Sequence, residues 1–264
     1  MSSSEHPAYG LLRPVTDNAS VLLCDNPGLM TLEGTNTWVL RGSGSDEMVV
    51  VDPGPDGSGA ADEHIERLAA LGPIPLVLIS HRHTDHTGGI DRIVDLTGAV
   101  VRSVGSGFLR GLGGPLTDGE VIDAAGLRIT VMATPGHTAD SVCFLVDDAA
   151  VLTADTILGR GTSVIDHEDG DLGDYLESLH RLRGLGHRTV LPGHGPELDD
   201  MVAVSDSYLA HREERLDQVR AALRTLGEDA GSRAVVEHVY TDVDEKLWDA
   251  AQWSVQAQLN YLRR

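Results

Sequence analysis

The chain has 264 residues, of which 41% are hydrophobic, 23% charged and 4% aromatic. That composition fits one large domain, or a domain with a small appendage, built on a Val, Leu, Ile and Ala core, and it excludes extended disorder. The formal net charge of −21, with 12 Lys and Arg against 30 Asp and Glu up to residue 203 and 8 against 11 beyond it, repels polyanions and excludes duplex DNA as a natural partner.

In chain order, "MSSSEHPAYG" lacks the basic and apolar stretches of a secretory signal. No apolar run reaches the roughly 18–20 residues that cross a bilayer. A soluble, cytoplasmic protein is expected. "NTWVL" and "MVVVDPG" flank a Gly/Ser/Asp turn and read as a hairpin. Residues 62–72 carry Ile65, Leu68, Ala69 and Leu71 at helical spacing and end on Gly72. "LVLIS" reads as a buried strand and 88–98 as a short helix closed by glycine. "VVRSV", "LRITVMAT", "SVCFLV" and "AVLTADT" read as further strands. Residues 171–186 form an amphipathic helix with Leu172, Leu176 and Leu179 in its stripe, and "RTVLPGHG" is a last strand and loop. Beyond about residue 203 the pattern turns wholly helical. We divide the chain into a catalytic domain, 1–203, and a helical C-terminal region, 204–264. Cys24 and Cys143 stand apart in apolar stretches and read as reduced core residues.

One stretch concentrates chemistry. "SHRHTDHTGG" places His81, His83, Asp85 and His86 directly after the "LVLIS" strand. Imidazoles at i and i+2 on an extended strand end point to one side and can share a cation. Asp85 and His86 can face a second one. The bland alternative is a His-rich turn without metal. Three later segments repeat one design, a strand running into a polar loop residue, and deliver His137, Asp155 and His194. Pro and Gly before each of the two histidines fix a tight turn.

With these residues in view, the chain resembles the metallo-β-lactamase superfamily of hydrolases, through HxHxDH followed by a His, an Asp and a last His. The resemblance implies an α/β fold, a four-layer αβ/βα sandwich with its site at one edge, here carrying a small helical C-terminal appendage. It implies one divalent metal ion on His81, His83 and His137, a second on Asp85, His86 and His194, and Asp155 bridging both beside a hydroxide. Zinc is expected, with manganese or iron as alternatives. Asp85 and Asp155 are the expected catalytic carboxylates. Asp52, at the end of "MVVVD", matches an acidic position that braces the His-rich loop, though a turn Asp capping its own loop reads equally well.

Outside the ligands, "LEGTNTWVL", "ADTILGRGTSVI", "DLGDYLESLHRL" and the C-terminal "HREERLDQV" resemble the lactamase-β-2-like group. That group includes endoribonucleases of single-stranded RNA and carries a winged-helix-like C-terminal segment; a wing after the last helix is expected to be short or missing here. A hydroxyacylglutathione hydrolase-like thioesterase, or another small-molecule ester or lactone hydrolase, is the alternative. A metal-loaded binding module is the non-enzymatic one. Secreted zinc β-lactamases generally have Cys or Ser where this chain has Asp155. Charge favours a small substrate over RNA. Candidate substrate contacts are Arg160, Thr162, Ser163 and His211, with a plain glycine-rich turn as the simpler reading of Thr162 and Ser163. Arg82 is a further basic candidate for an anchor. Arg212, Arg215, Arg220 and Arg224 interleave with Glu213, Glu214 and Asp217, which reads as a solvated, ion-paired helix. His6, His64, His167, His180, His187 and His238 have no ligand spacing and read as surface or cap residues.

Overall fold

The computed structural model describes residues 8–166, 168–241 and 248–264. One sheet has six strands in spatial and chain order: β1 (Leu12–Pro14), β2 (Ala19–Leu23), β3 (Asn36–Leu40), β4 (Val49–Val51), β5 (Leu76–Leu78) and β6 (Val100–Arg102). Its first four strands pair antiparallel and its last three pair parallel. The other sheet has five strands, β7 (Val121–Ala124), β8 (Leu127–Ala133), β9 (Val142–Val146), β10 (Ala150–Ala154) and β11 (Thr189–Pro192). Their spatial order is β11-β10-β9-β8-β7, and only β10 and β11 run parallel.

The alternation of strand side chains builds the layers. In β4 all three valines are buried: Val49 and Val51 join the core between the sheets, whereas Val50 joins the core under the helices. The inter-sheet core sets Val21, Trp38 and Leu78 against Ile129, Phe144 and Leu152. On the outer face of the first sheet, α1 (Ala60–Ala70) and α3 (Ile90–Thr97) bury Ile65, Leu68, Ile90 and Ile93. On the outer face of the second, α4 (Leu172–Arg183) and α5 (Met201–Leu226) bury Tyr175, Leu179, Leu182 and Tyr208 against Cys143 and Val190. The result is helix, sheet, sheet, helix. Truncating a fully buried leucine such as Leu179 to Ala is expected to cost about 2–5 kcal/mol.

Local signals end the helices. Asp171 caps α4 by accepting a hydrogen bond from the Asp174 N–H, and Gly98 closes α3 at φ 72°. The span read as helix at 62–72 begins and ends two residues earlier, because the chain leaves the helix at Leu71 ahead of Gly72. A four-residue helix, α2 (Thr84–Thr87), precedes α3 and carries Asp85 and His86.

The C-terminal helices are α5, α6 (Ser232–Val239) and α7 (Trp248–Leu262). The first part of α5 packs on the second sheet's layer through Met201, Tyr208 and Leu216. Its last turns pack with Val235 and Val236 of α6 and with Val255 and Leu259 of α7. One helix therefore serves both clusters. Cys24 and Cys143 are buried and unpaired, and burial pushes their thiols up to about 12 and about 11. His64 is not a surface residue: it is buried in α1, its Nε2 lying 2.8 Å from Thr37 Oγ1. His180, His187 and His238 are exposed; His6 and His167 lie outside the described residues.

Candidate metal centre

Strand ends on one edge of the sandwich supply the site. β4 leads to Asp52, β5 leads to Ser80 and His81, and α2 follows with Asp85 and His86. β8 leads to His137, β10 to Asp155 and β11 to His194. Two residues at these ends hold left-handed backbone without being glycine, Asp52 at φ 55° and Ala154 at φ 44°. Gly193 is required by close approach, because a Cβ there would stand 2.5 Å from Asp155 Oδ1 and 2.9 Å from His86 Cε1. Asn36 and Trp38 of β3 both donate to the Pro192 carbonyl, which ties the first sheet to the loop that carries His194.

Seven side chains converge as two overlapping groups. His81 Nε2 and His137 Nε2 each lie 3.0 Å from His83 Nδ1. His86 Nε2 and His194 Nε2 lie 3.3 Å apart, and Asp85 Oδ2 sits 3.3 Å from the first and 3.1 Å from the second. Asp155 reaches both groups: Oδ1 is 3.5 Å from His86 Nε2, and Oδ2 is 3.4 Å from His194 Nε2 and 3.8 Å from His137 Nε2.

The outer ring nitrogens show why this is a ligand set and not a hydrogen-bonded cluster. Each is committed to an oxygen. His83 Nε2 donates to Asp166, His86 Nδ1 to Asp52, His137 Nδ1 to the Val164 carbonyl and His194 Nδ1 to the Gly34 carbonyl. His81 Nδ1 donates to Ser80 Oγ, which itself donates to Asp52. An imidazole that spends its one N–H outward presents a bare lone pair inward. Five lone pairs aimed at one another from about 3 Å repel unless a cation lies among them. Asp155 Oδ1 is buried with no hydrogen-bond partner, which fits the same cation. The residues present therefore fit bound divalent metal.

Charge agrees. Burial, then His86, drives the His81 pKa well down, and burial lowers that of His137, which favours the neutral form that a metal ligand needs. Burial opposes charge on His194 as well, yet Asp155 and Asp85 outweigh it and draw the pKa up to about 10. Two carboxylates thus impose a demand for positive charge on this half. Asp52, His81 and His86 also lie close enough to form a group. Asp52 is spent otherwise, because its oxygens take the Ser80 N–H, the Ser80 hydroxyl and the His86 Nδ1–H.

Over the centre lies a cleft of about 470 Å³. Leu29, Met30, Leu32, Leu158 and Val164 give it apolar walls, and Leu29 is 80% exposed at its mouth. No Phe, Tyr or Trp lines it among the described residues. Arg160 reaches the cleft but pairs with Glu33, and Arg82 is held by Asp166, Glu168 and Asp169. Thr162 lines the cleft as well. Ser163 does not offer its hydroxyl to a substrate: it is buried and donates to the Asp155 carbonyl, bracing that residue from behind. His211 stands apart from the cleft, in a neighbouring cavity.

Arg212 departs furthest from its expected place. It is buried, donates to the Ser163 carbonyl and lies 4.9 Å over the Tyr175 ring. Arg220 does pair with Glu213 and Asp217 on the solvated face. Asp166, Thr35 and the Gly34 and Val164 carbonyls take part in the site without any spacing that marks them. Thr35 is notable because its hydroxyl donates to Asp85.

A four-layer sandwich with this His and Asp set at one edge defines a metallo-β-lactamase-type hydrolase. Residues 30–194 match the metallo-β-lactamase superfamily and residues 232–264 the β-lactamase-associated winged helix domain, and the chain belongs to that superfamily. A β-lactamase-like protein 2 homolog of Drosophila melanogaster is 30% identical over 273 residues, covering 95% of this chain and 89% of that protein. The lactamase-like protein adaB of Aspergillus niger is 35% identical over 224 residues, covering 82% and 67%. An atrochrysone carboxyl ACP thioesterase of Aspergillus fumigatus is 33% identical over 230 residues, covering 82% and 70%. The crystal structure of a β-lactamase domain protein from Burkholderia ambifaria shares the fold at TM-score 0.81 and 21% identity, covering 98% of this chain and 89% of that one. No helix among the described residues is long and apolar enough to cross a membrane.

Proposed function

We propose that the protein hydrolyses a carboxylic thioester with an apolar acyl group, using two divalent cations, zinc foremost. His81, His83 and His137 would hold one, Asp85, His86 and His194 the other, and Asp155 both. When bound, the pair supplies a hydroxide nucleophile near neutral pH and draws charge from the carbonyl oxygen. Water adds across the C–S bond: a C–O bond forms, the C–S bond breaks, sulfur keeps one proton, and the product acid releases the other.

The chain's own residues do the rest. Leu29, Met30, Leu32 and Leu158 seat the acyl chain, at about 0.8 kcal/mol per buried methylene. Asp85, its carboxylate 24% exposed to the cleft and steadied by Thr35, accepts a hydrogen bond from the attacking water and orients it. Asp52 and Asp166 hold three of the imidazoles in one tautomer and direction.

The cleft carries this reading: its walls are aliphatic and both of its arginines are already neutralised by acids. Single-stranded RNA calls for free cations and stacking rings along the groove, and this cleft offers neither. The thioesterase name of one relative points the same way. One preparation assayed on an acyl thioester and on a short single-stranded RNA, each with and without chelator, tests it. Chelator-sensitive thioester cleavage with intact RNA is expected. Cleaved RNA with untouched thioester would overturn the reading in favour of a nuclease, and turnover of neither by the fully metal-loaded protein would favour a binding module.

A further inference from the structure

Beside the cleft, the 162–164 loop has a second cavity of about 190 Å³ on its other side, closed by α5 and α7. His211, Arg212 and Arg215 come from α5, Gln258 comes from α7, and Tyr240 stands after α6. Among the described residues, none that lines it is acidic. Neither Arg212 nor Arg215 pairs with a carboxylate among the described residues. Arg215 instead donates to Gln218 and stacks 5.1 Å over Tyr240.

His211 Nδ1, Arg212 Nε and Gln258 Oε1 are buried here with no hydrogen-bond partner among the described residues. Arg212 and Gln258 are 3% and 2% exposed. A buried guanidinium N–H left unmade is costly, and an arginine buried without a counter-anion more so. The Gln258 amide turns about its last torsion to offer N–H in place of oxygen. Together these groups make a donor-rich pocket, cationic and without acids among the described residues, that shares its loop with the cleft.

We propose that this cavity is an anion subsite, taking a carboxylate or phosphate carried on the thiol portion of the substrate while the acyl chain lies in the cleft. The proposal rests on the thioester reading for the ligand's identity, not for the subsite's existence. It also gives Arg212 a second part, because its bond to the Ser163 carbonyl sets the loop whose Val164 carbonyl fixes His137.

Two arms on the metal-loaded protein test it. The kinetic arm compares one acyl group carried on N-acetylcysteamine, on thioglycolate and on phosphopantetheine. KM is expected to be about 10-fold or more lower for an anionic thioester than for the neutral one. Whichever anion gains identifies the source. Arg215→Gln, and separately His211→Gln, should bring that ratio to about 1. No anionic preference in the wild type, or a preference retained by both folded variants, overturns the subsite. In the direct arm, inorganic phosphate is titrated calorimetrically into wild type and both variants. The subsite predicts one phosphate equivalent lost or weakened by about 10-fold in each variant; identical isotherms overturn it. A phosphate difference together with no thioester cleavage would leave the subsite standing and remove the thioester reading alone.

Discussion

The metal centre and the cavity beside α7 are both buried polar pockets, and they are built in opposite senses. In the centre, every outward ring nitrogen has an oxygen partner, the inward lone pairs converge, and the fixed charges are the carboxylates of Asp85 and Asp155. In the cavity, the fixed charges among the described residues are guanidinium groups, with no acid, and the orphaned atoms include a guanidinium N–H and an imidazole nitrogen. The first arrangement is completed by cations and the second by an anion. A net charge of −21 therefore says little about either site, since the acids are spent on the exterior and on the ligands.

The comparison can be broken most severely at the bridge. Asp155→Ala removes the carboxylate that reaches both ligand groups. Because such groups act as a unit, hydrolysis should fall by at least about 1,000-fold with the fold retained, measured by initial rates beside circular dichroism. Near-normal activity would remove the bridging role.

A smaller effect comes from another buried polar residue, His64, whose neutral form is favoured by burial. Burial, then Arg67, lowers its pKa to about 4. A folded value below the ordinary 6.5 means its contribution is complete above pH 6.5 and is lost as pH falls toward 4. Up to about 3 kcal/mol of stability is at stake across that window. Denaturant unfolding with chelator present, at pH 7.5 and pH 4, should show a larger acid loss in wild type than in His64→Gln. Equal losses would mean that His64 is not held neutral.

Smaller again is the effect of loosening one hydrogen-bond partner of the centre without touching a ligand. Asp166→Asn keeps the shape and weakens the acceptor of the His83 Nε2–H, so metal affinity should drop about 10- to 100-fold in a chelator competition. The smallest change sharpens the apolar side: Met30→Ser should raise KM for a long acyl thioester about 5- to 10-fold more than for an acetyl one, from the loss of about 1 kcal/mol of apolar contact.

The ligand set was legible because its spacing is local and its strands are apolar runs that end where the polar residues begin. Of the partners of the ligands, Asp52 was legible at its strand end, whereas the others were not, because two of them are main-chain carbonyls, of Gly34 and Val164, and Asp166 sits in an irregular loop with no period. Arg212 was misread for an identifiable reason. Its neighbours Glu213 and Glu214 suggested a solvated face, yet one step along a helix turns the side chain by about 100°. Tyr208, Arg212 and Leu216 lie at spacings of four on one buried face, a signal the charge pattern hid. His64 was missed in the same way, beside Ile65 and one turn before Leu68. The sheet layers were legible as strands but not as an order, since the register between two sheets is written in long-range packing and not in any one segment.

The central claim is that seven side chains hold two cations that share Asp155. Metal content by elemental analysis, on wild type and Asp155→Ala purified alike without chelator, tests it most directly. The account predicts two equivalents per chain in wild type and about one in the variant. A wild type without bound metal, or a variant that keeps both equivalents, would contradict it.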